Sequence, residues 1–410
     1  MKGSQYNIRV PKKWNGTLLI FSHGYVSPAG RAGPVAEISF EDTKGTGTDA
    51  LSTTLLAKGY ALAGSSYTGK GWVAADAVSS ADDIYKKFVA LRGTPKHTLV
   101  WGASFGGLVT EVVAEKYDWV DGALPMCGAL GGPNLNFDNL LEAAWAVKTL
   151  LLPSLQLTKF TSQDQANAAA SRAIAAIRSA TADLTHGGAA KVALIADILG
   201  MPRKSTTHPT GRELRQFAAL SDSLQLYIYF NFAARYDVEQ RYGGDPSSTY
   251  VPTVPLNAAQ VVEITGLHGD ATALLGKLSA AQGVAADPTA RQALAASGDP
   301  SGKLRVPTVT LHVTQDPIVL GANEFIFRNR VAAQQQSARL LQIQVSPPPN
   351  SAHPPYGVGH CGFSTQQVLG ALNVLNQWVD TRTKPASISG LGADVVPAKA
   401  LPGWPSGARK

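Results

Sequence analysis

The sequence predicts an α/β fold: a mostly parallel central sheet flanked by helices, with a large helical cap domain set into it. Three observations carry this. Short apolar runs alternate with helical periodicity over the first 130 residues. The alternation then gives way to a long Ala- and Leu-rich stretch of helical period, and buried-strand runs return from residue 306. Strands hidden on both faces read as continuous apolar runs, and helices must cover them.

Taken in order, Tyr6 to Val10 is strand-like, and Thr17-Leu18-Leu19-Ile20-Phe21 is an apolar run ending in Ser22-His23-Gly24-Tyr25. Asp49 to Lys58 reads as a helix, and Gly59 to Gly64 as the next buried strand. Trp72 to Leu91 has Ala, Val, Ile and Phe recurring at three and four residues, the spacing of one helical face. His97 to Gly102 is a third strand, Leu108 to Tyr117 its helix, and Val120 to Met126 a fourth strand. From there the chain is mostly helical, as in Phe137 to Leu151, Gln163 to Ala180 and Gly211 to Arg241. Val306 to Val313 restores the strand signal, followed by a helix (Gly321 to Gln334), a strand (Leu340 to Val345) and a final helix (Thr365 to Trp378). The expected division is a core in two parts, 1–130 and 303–382, a helical cap or lid at 131–302, and an irregular tail at 383–410.

Composition narrows the function. The 410 residues are 44% hydrophobic, enough for a large packed core and too many for a disordered chain. Charged residues make up only 16%, against roughly 25% in an average soluble domain. The net charge of +7 would suit an anionic partner, but the bases are scattered. They pair only as Lys12-Lys13, Lys86-Lys87, Arg203-Lys204 and Arg409-Lys410, with no basic arm and no aromatic interleaving, which argues against nucleic acid. No apolar run approaches a membrane span. Met1 leads almost at once into a strand-like segment, so the expectation is either a cytoplasmic protein or a mature secreted form without its leader. Low charge, many small polar residues and two cysteines favour the secreted form.

The chemistry-bearing motif is Gly102-Ala103-Ser104-Phe105-Gly106. G-x-S-x-G alone recurs by chance, and a Gly-rich strand-to-helix turn is the bland alternative. This copy lies between a buried strand and an amphipathic helix, where a nucleophile elbow belongs. A serine hydroxyl needs a base, and the base an orienting carboxylate. The chain offers both downstream: Asp316, just past the strand at 306–313, and His360, between glycines on a loop before the last helix. His353 is the rival, while the other six histidines precede Asp316 and break the Ser-Asp-His order. An oxyanion hole needs two backbone N–H donors, expected from Phe105 and from Tyr25 in the loop after the first central strand. His23 in that loop is expected to be structural. Tyr25, Tyr67 and Trp72 are the candidate substrate-binding residues, whereas the aromatic run at 226–232 reads as cap packing.

At His23-Gly24, the elbow at 102–106, Asp316-Pro317 and Gly359-His360, the sequence resembles the α/β-hydrolase superfamily. The resemblance covers about residues 5–130 and 303–380, with the cap entering after the sixth strand of the standard sheet. It implies a serine hydrolase working through an acyl-enzyme, with no metal or organic cofactor. In that fold Cys127 and Cys361 both lie at the carboxyl edge of the sheet, either as a disulfide pinning the histidine loop or as two free thiols. The first functional expectation is a carboxylic-ester hydrolase acting on an apolar or aromatic ester, small or polymeric. A peptidase or amidase, for which Glu213, Asp222, Asp237 and Glu239 could supply charge, and a non-catalytic binding protein are the alternatives.

Overall fold

The apolar runs form a single twisted sheet because each can be buried on both faces. In the computed structural model, which describes residues 3–28, 33–201, 212–250, 256–345, 359–386, 388 and 395–396, the first part of the chain runs β1 (Tyr6–Arg9), β2 (Thr17–Ser22), α1 (Ala50–Ala57), β3 (Ala61–Ser65), α2 (Ala74–Arg92), β4 (His97–Ala103), α3 (Phe105–Lys116) and β5 (Gly122–Met126). Seven helices follow: α4 (Pro133–Leu150), α5 (Gln163–Ala182), α6 (Gly188–Ile198), α7 (Arg212–Tyr242), α8 (Ala258–Gly266), α9 (Ala271–Ala280) and α10 (Pro288–Ala296). The sheet resumes with β6 (Thr308–Val313), α11 (Ala322–Ala333), β7 (Leu340–Val345), α12 (Thr365–Thr381) and β8 (Val395–Val396).

Strand order is β1-β3-β2-β4-β5-β6-β7-β8. Only the edge strands β1 and β8 run antiparallel to their neighbours. Leu19 pairs with Leu62 of β3 on one side and Leu99 of β4 on the other, which sets β2 deep in the sheet. Side chains alternate between two apolar layers, as a period of two requires. Leu18 and Ile20 join the layer carrying α2 and α3, and Leu19 and Phe21 join the layer carrying α1 and α12. The first layer continues without a break into the core of the seven helices, through Phe137, Leu141, Trp145 and Val147.

Two cations, the first buried and the second half-buried, hold that helical stretch together. Arg235, fully buried, donates to Asp245 (2.9 Å), Ser247 Oγ (2.7 Å) and Asn231 Oδ1 (2.7 Å). Arg291 grips the buried carboxylate of Asp138 with both Nη atoms at 2.8 Å. Breaking either would strand a charge in a dry interior.

Several boundaries differ from those read in the sequence. Helix α3 begins at Phe105 rather than Leu108, because Gly106 and Gly107, poor helix formers, sit in its first turn under tertiary contacts. Helix α4 begins four residues before Phe137, with Pro133 at its start where a missing N–H costs nothing. Helices α8, α9 and α10 fall in the stretch read only as mostly helical, without bounds of their own, and Asn257, Asp270 and Asp287 cap them. The tail, expected to be irregular from Thr383, contributes β8; most of the rest lies outside the described residues. Among the described residues, no helix is long and apolar enough to cross a membrane.

One buried acid has no compensation. Glu111 of α3 is fully buried, and neither carboxyl oxygen has a hydrogen-bond partner among the described residues. Burial, with Glu115 and Glu324 nearby, pushes its pKa well above the ordinary value. As pH rises above about 4.3 the unfolded chain releases this proton and the folded chain keeps it, so stability falls with pH in that window. Glu111→Gln should therefore come nearest to wild type below about pH 4 and be more stable at pH 8. The gain should grow by about 1.4 kcal/mol for each pH unit over which Glu111 stays protonated, read from denaturant unfolding.

Candidate active site

The site begins at the junction of β4 and α3. Ser104 has φ 60° and ψ −125°, a conformation that costs a non-glycine residue roughly 1–3 kcal/mol and must be enforced by its surroundings. Its N–H donates to Met126 O at the end of β5 (2.9 Å), and its carbonyl accepts from Gly107 N (2.9 Å). Gly102 and Gly106 pass so close to the Ser22 carbonyl of β2 that a Cβ on either would collide with it. The chain can therefore turn sharply here only with glycine on both sides. Ser104 is left at the tip, directly before the N-terminus of α3.

The loops after β6 and β7 deliver the other two groups. His360 Nε2 lies 2.6 Å from Ser104 Oγ, and His360 Nδ1 lies 2.7 Å and 2.9 Å from the two oxygens of Asp316. Asp316, fully buried, also accepts from the N–H groups of Ile318 and Val319, both at 2.9 Å, and from Cys361 N at 3.3 Å. Burial pushes its carboxyl up, but the charge and hydrogen bond of His360, the charge of His312 and the loop N–H groups outweigh that and hold it below the ordinary range. Ser104, Asp316 and His360 thus meet in one hydrogen-bonded chain, while His353 lies outside the described residues.

A central parallel sheet with an antiparallel first strand, a serine elbow after β4, an acid after β6 and a histidine after β7 decide the architecture. This is the α/β-hydrolase fold. No family model matches the chain, and no curated protein matches it. Among solved structures, feruloyl esterase B from Aspergillus oryzae is 15% identical, with 96% of this chain and 81% of that chain covered and a TM-score of 0.45. Candida antarctica lipase A is 12% identical, with 97% of this chain and 78% of that chain covered and a TM-score of 0.41. An esterase, LipA, from Xanthomonas oryzae is 13% identical, with 84% and 78% covered and a TM-score of 0.38. The fold assignment rests on the strand order and the elbow.

The loop after β2 runs beside Ser104. A Cβ built on Gly24 would sit 3.8 Å from Ser104 Cβ, so the backbone leading into Tyr25 borders the elbow. Phe105 is the first residue of α3, where a backbone N–H has no partner inside the helix. His23 is buried and its Nδ1 donates to Gly24 O (2.8 Å), fixing this loop; desolvation lowers its pKa. Its ring stacks on Tyr67 at 3.8 Å.

The expected substrate-binding aromatics fall into two groups. Tyr25 is half-buried, with its ring 5.2 Å from Phe230 of α7. Tyr67 and Trp72, by contrast, are each only 3% exposed. Tyr67 donates to His23 O (3.2 Å), and Trp72 packs edge-on against Phe105 and Phe137, both at 4.9 Å. These two side chains lie against the elbow and spend most of their surfaces on protein neighbours.

Asp237, read in the sequence as a possible charge for a peptide substrate, is engaged within the protein. Its carboxylate accepts from Trp72 N (2.9 Å) and pairs with Arg241 (2.6 Å), tying α7 to the loop after β3 across 165 residues of sequence. Glu239 is likewise spent on the N–H groups of Lys159 and Phe160, and Asp222 accepts from Gln225; the side chain of Glu213 lies outside the described residues. Phe230 was placed with cap packing, yet it reaches Tyr25. Exposure along 226–232 alternates with helical period: Leu226 and Tyr229 face out, while Tyr227, Ile228 and Phe232 are buried.

Cys127 and Cys361 are joined in a disulfide, with Cα atoms 5.5 Å apart and 234 residues between them in sequence. Together with Asp316 and His360 they form the tightest grouping of metal-type ligands among the described residues. Its sulfurs are bonded to each other, so it offers no thiolate. Cys127 immediately follows Met126, whose carbonyl holds Ser104 N–H, so the bond ties the histidine loop to the strand end that shapes the elbow. Reduction should add two hydrogens to the intact mass and lower stability by about 2–5 kcal/mol in unfolding measurements. An unchanged mass and an unchanged transition would show that the bond is absent.

Proposed function

We propose that this protein is a serine hydrolase of carboxylic esters that works through an acyl-enzyme, on substrates with apolar or aromatic groups. The observation that carries the reading is the chain from Ser104 Oγ to His360 Nε2 (2.6 Å) and from His360 Nδ1 to Asp316 (2.7 Å). Geometry of this kind makes a hydroxyl nucleophilic.

In the reaction, Ser104 Oγ attacks the ester carbonyl while His360 Nε2 takes its proton. The imidazolium is stabilised by buried, ionised Asp316 and then gives the proton to the leaving alkoxide. A water, deprotonated by His360, attacks the acyl-enzyme and frees Ser104. The negative charge on the tetrahedral oxygen is held by the N–H groups of Phe105 and Tyr25, with the N-terminus of α3 behind them.

Residues 131–302 act as the cap. Support comes from Phe230 against Tyr25, from Asp237 on Trp72 N, and from Tyr242 Oη on Trp72 O (3.2 Å), all from α7 onto loops that flank the elbow. The rings of Tyr25, Trp72, Phe105, Phe137 and Phe230 make the neighbourhood apolar and aromatic, which motivates the substrate class. The acidic residues that could have gripped a charged peptide terminus, Asp237, Glu239 and Asp222, are instead engaged within the protein, which favours ester over peptide. The disulfide supports an oxidising compartment for the working protein, as for a secreted enzyme.

A p-nitrophenyl ester series of increasing acyl length, run beside an aminoacyl anilide panel, tests this. Wild type should turn over the esters in preference to the anilides. Ser104→Ala and His360→Ala should each lower kcat by about 10⁴-fold or more. Dominant anilide cleavage would make the protein a peptidase, and ester turnover surviving in Ser104→Ala would remove Ser104 from the mechanism.

A further inference from the structure

Behind the acid of the proposed site lies a second buried histidine that the reaction does not use. His312, on β6, is 1% exposed. Its Nε2 lies 3.0 Å from Val319 O. A carbonyl only accepts, so Nε2 carries a hydrogen. Its Nδ1 faces Glu324 Oε1 of α11 at 3.5 Å, and neither of these atoms has a closer hydrogen-bond partner among the described residues. The other oxygen of Glu324 is taken by Thr310 Oγ1 and Gln342 Nε2, both at 2.6 Å.

This arrangement restricts the ring's protonation. A neutral imidazole with its hydrogen on Nε2 would turn a bare nitrogen lone pair towards a carboxylate in a dry interior. A second proton, on Nδ1, converts that repulsion into an ion pair. The charged groups around the ring agree: Glu324 and Asp316 both favour the cation against the desolvation that opposes it. The Val319 carbonyl that His312 holds belongs to the same residue whose N–H binds Asp316 Oδ1 at 2.9 Å. The ring thus fixes one end of the turn that wraps the acid.

We propose that His312 is a positioning residue for the catalytic acid: a buried imidazolium, paired with Glu324, that holds the 316–319 turn in place and keeps Asp316 ionised beside His360. The inference rests on the serine hydrolase reading. Its charge state can nevertheless be measured without any activity.

The test has two arms. In ¹⁵N-histidine spectra of the wild-type protein at pH 8, both ring nitrogens of His312 should be protonated, the signals being assigned by their loss in His312→Gln. A ring with one unprotonated nitrogen would overturn the proposal, and if the variant does not fold, Glu324→Gln supplies the assignment by shifting the same signals. In the kinetic arm, His312→Gln keeps an N–H donor within reach of Val319 O and removes the charge. The acid limb of its kcat/KM profile should move up by about half a pH unit or more, because the His360 imidazolium forms more easily without a nearby cation. KM should stay within about twofold. His312→Leu, which also removes the donor, should lose about tenfold or more in kcat. Variants that melt earlier but keep the wild-type pH limb would make His312 merely structural. Ester turnover unaffected by Ser104→Ala would instead sink the hydrolase reading, leaving the spectra to decide the charge of His312.

Discussion

The Ser22 carbonyl at the end of β2 lies against Gly102 and Gly106, on either side of the elbow. Because no Cβ fits at either position, β4 can turn into α3 within a single residue, and that residue, Ser104, is forced to φ 60°. Three consequences follow from this close approach. The hydroxyl of Ser104 is lifted off the sheet edge, the first N–H groups of α3 are brought next to it, and the loop after β2 is drawn alongside through Gly24. The close-packed sheet core supplies the stability that the strained turn consumes.

The remaining groups arrive on loops, which sheet pairing alone does not fix. Asp316 is fixed by a short turn that closes on its own carboxylate through Ile318 N and Val319 N. His360 is held by its bond to Asp316 and by the covalent link at the next residue to Cys127. Met126 and Cys127 therefore serve both ends of the chain: one accepts the Ser104 N–H, the other tethers the histidine loop. A shift of β5 would disturb Ser104 and His360 together. On the opposite side, α7 is pinned to the loop after β3 by Asp237, so the helical stretch and the site share a border.

Much of this was legible in the sequence, for physical reasons. Thr17–Phe21, Gly59–Gly64, His97–Gly102 and Val306–Val313 announce themselves because parallel strands buried on both faces must be apolar throughout. Ser104, Asp316 and His360 could be picked out because their chemistry demands an order and a strand-end position, and the structure brings those three side chains together. The start of α3 was not legible, since Gly106-Gly107 looks like a helix breaker until the Ser22 carbonyl supplies its reason. Nor were the roles of Tyr67 and Trp72, because an aromatic beside a site has the same letters whether it faces substrate or supports the wall. Glu111, His312 and Glu324 are ordinary polar residues in the sequence. Only the packing of α3, β6 and α11 shows them buried together behind the acid. Asp237 and Trp72 meet across 165 residues, a distance that no local pattern encodes.

The central claim is that Ser104 is a nucleophile activated by His360. It is tested most directly by exposing the folded, disulfide-intact protein to an alkyl fluorophosphonate and locating the adduct by intact mass and peptide mapping. The account predicts one adduct per chain, on Ser104, and none on His360→Ala. A folded protein that stays unmodified, or one modified elsewhere with Ser104 free, would contradict it.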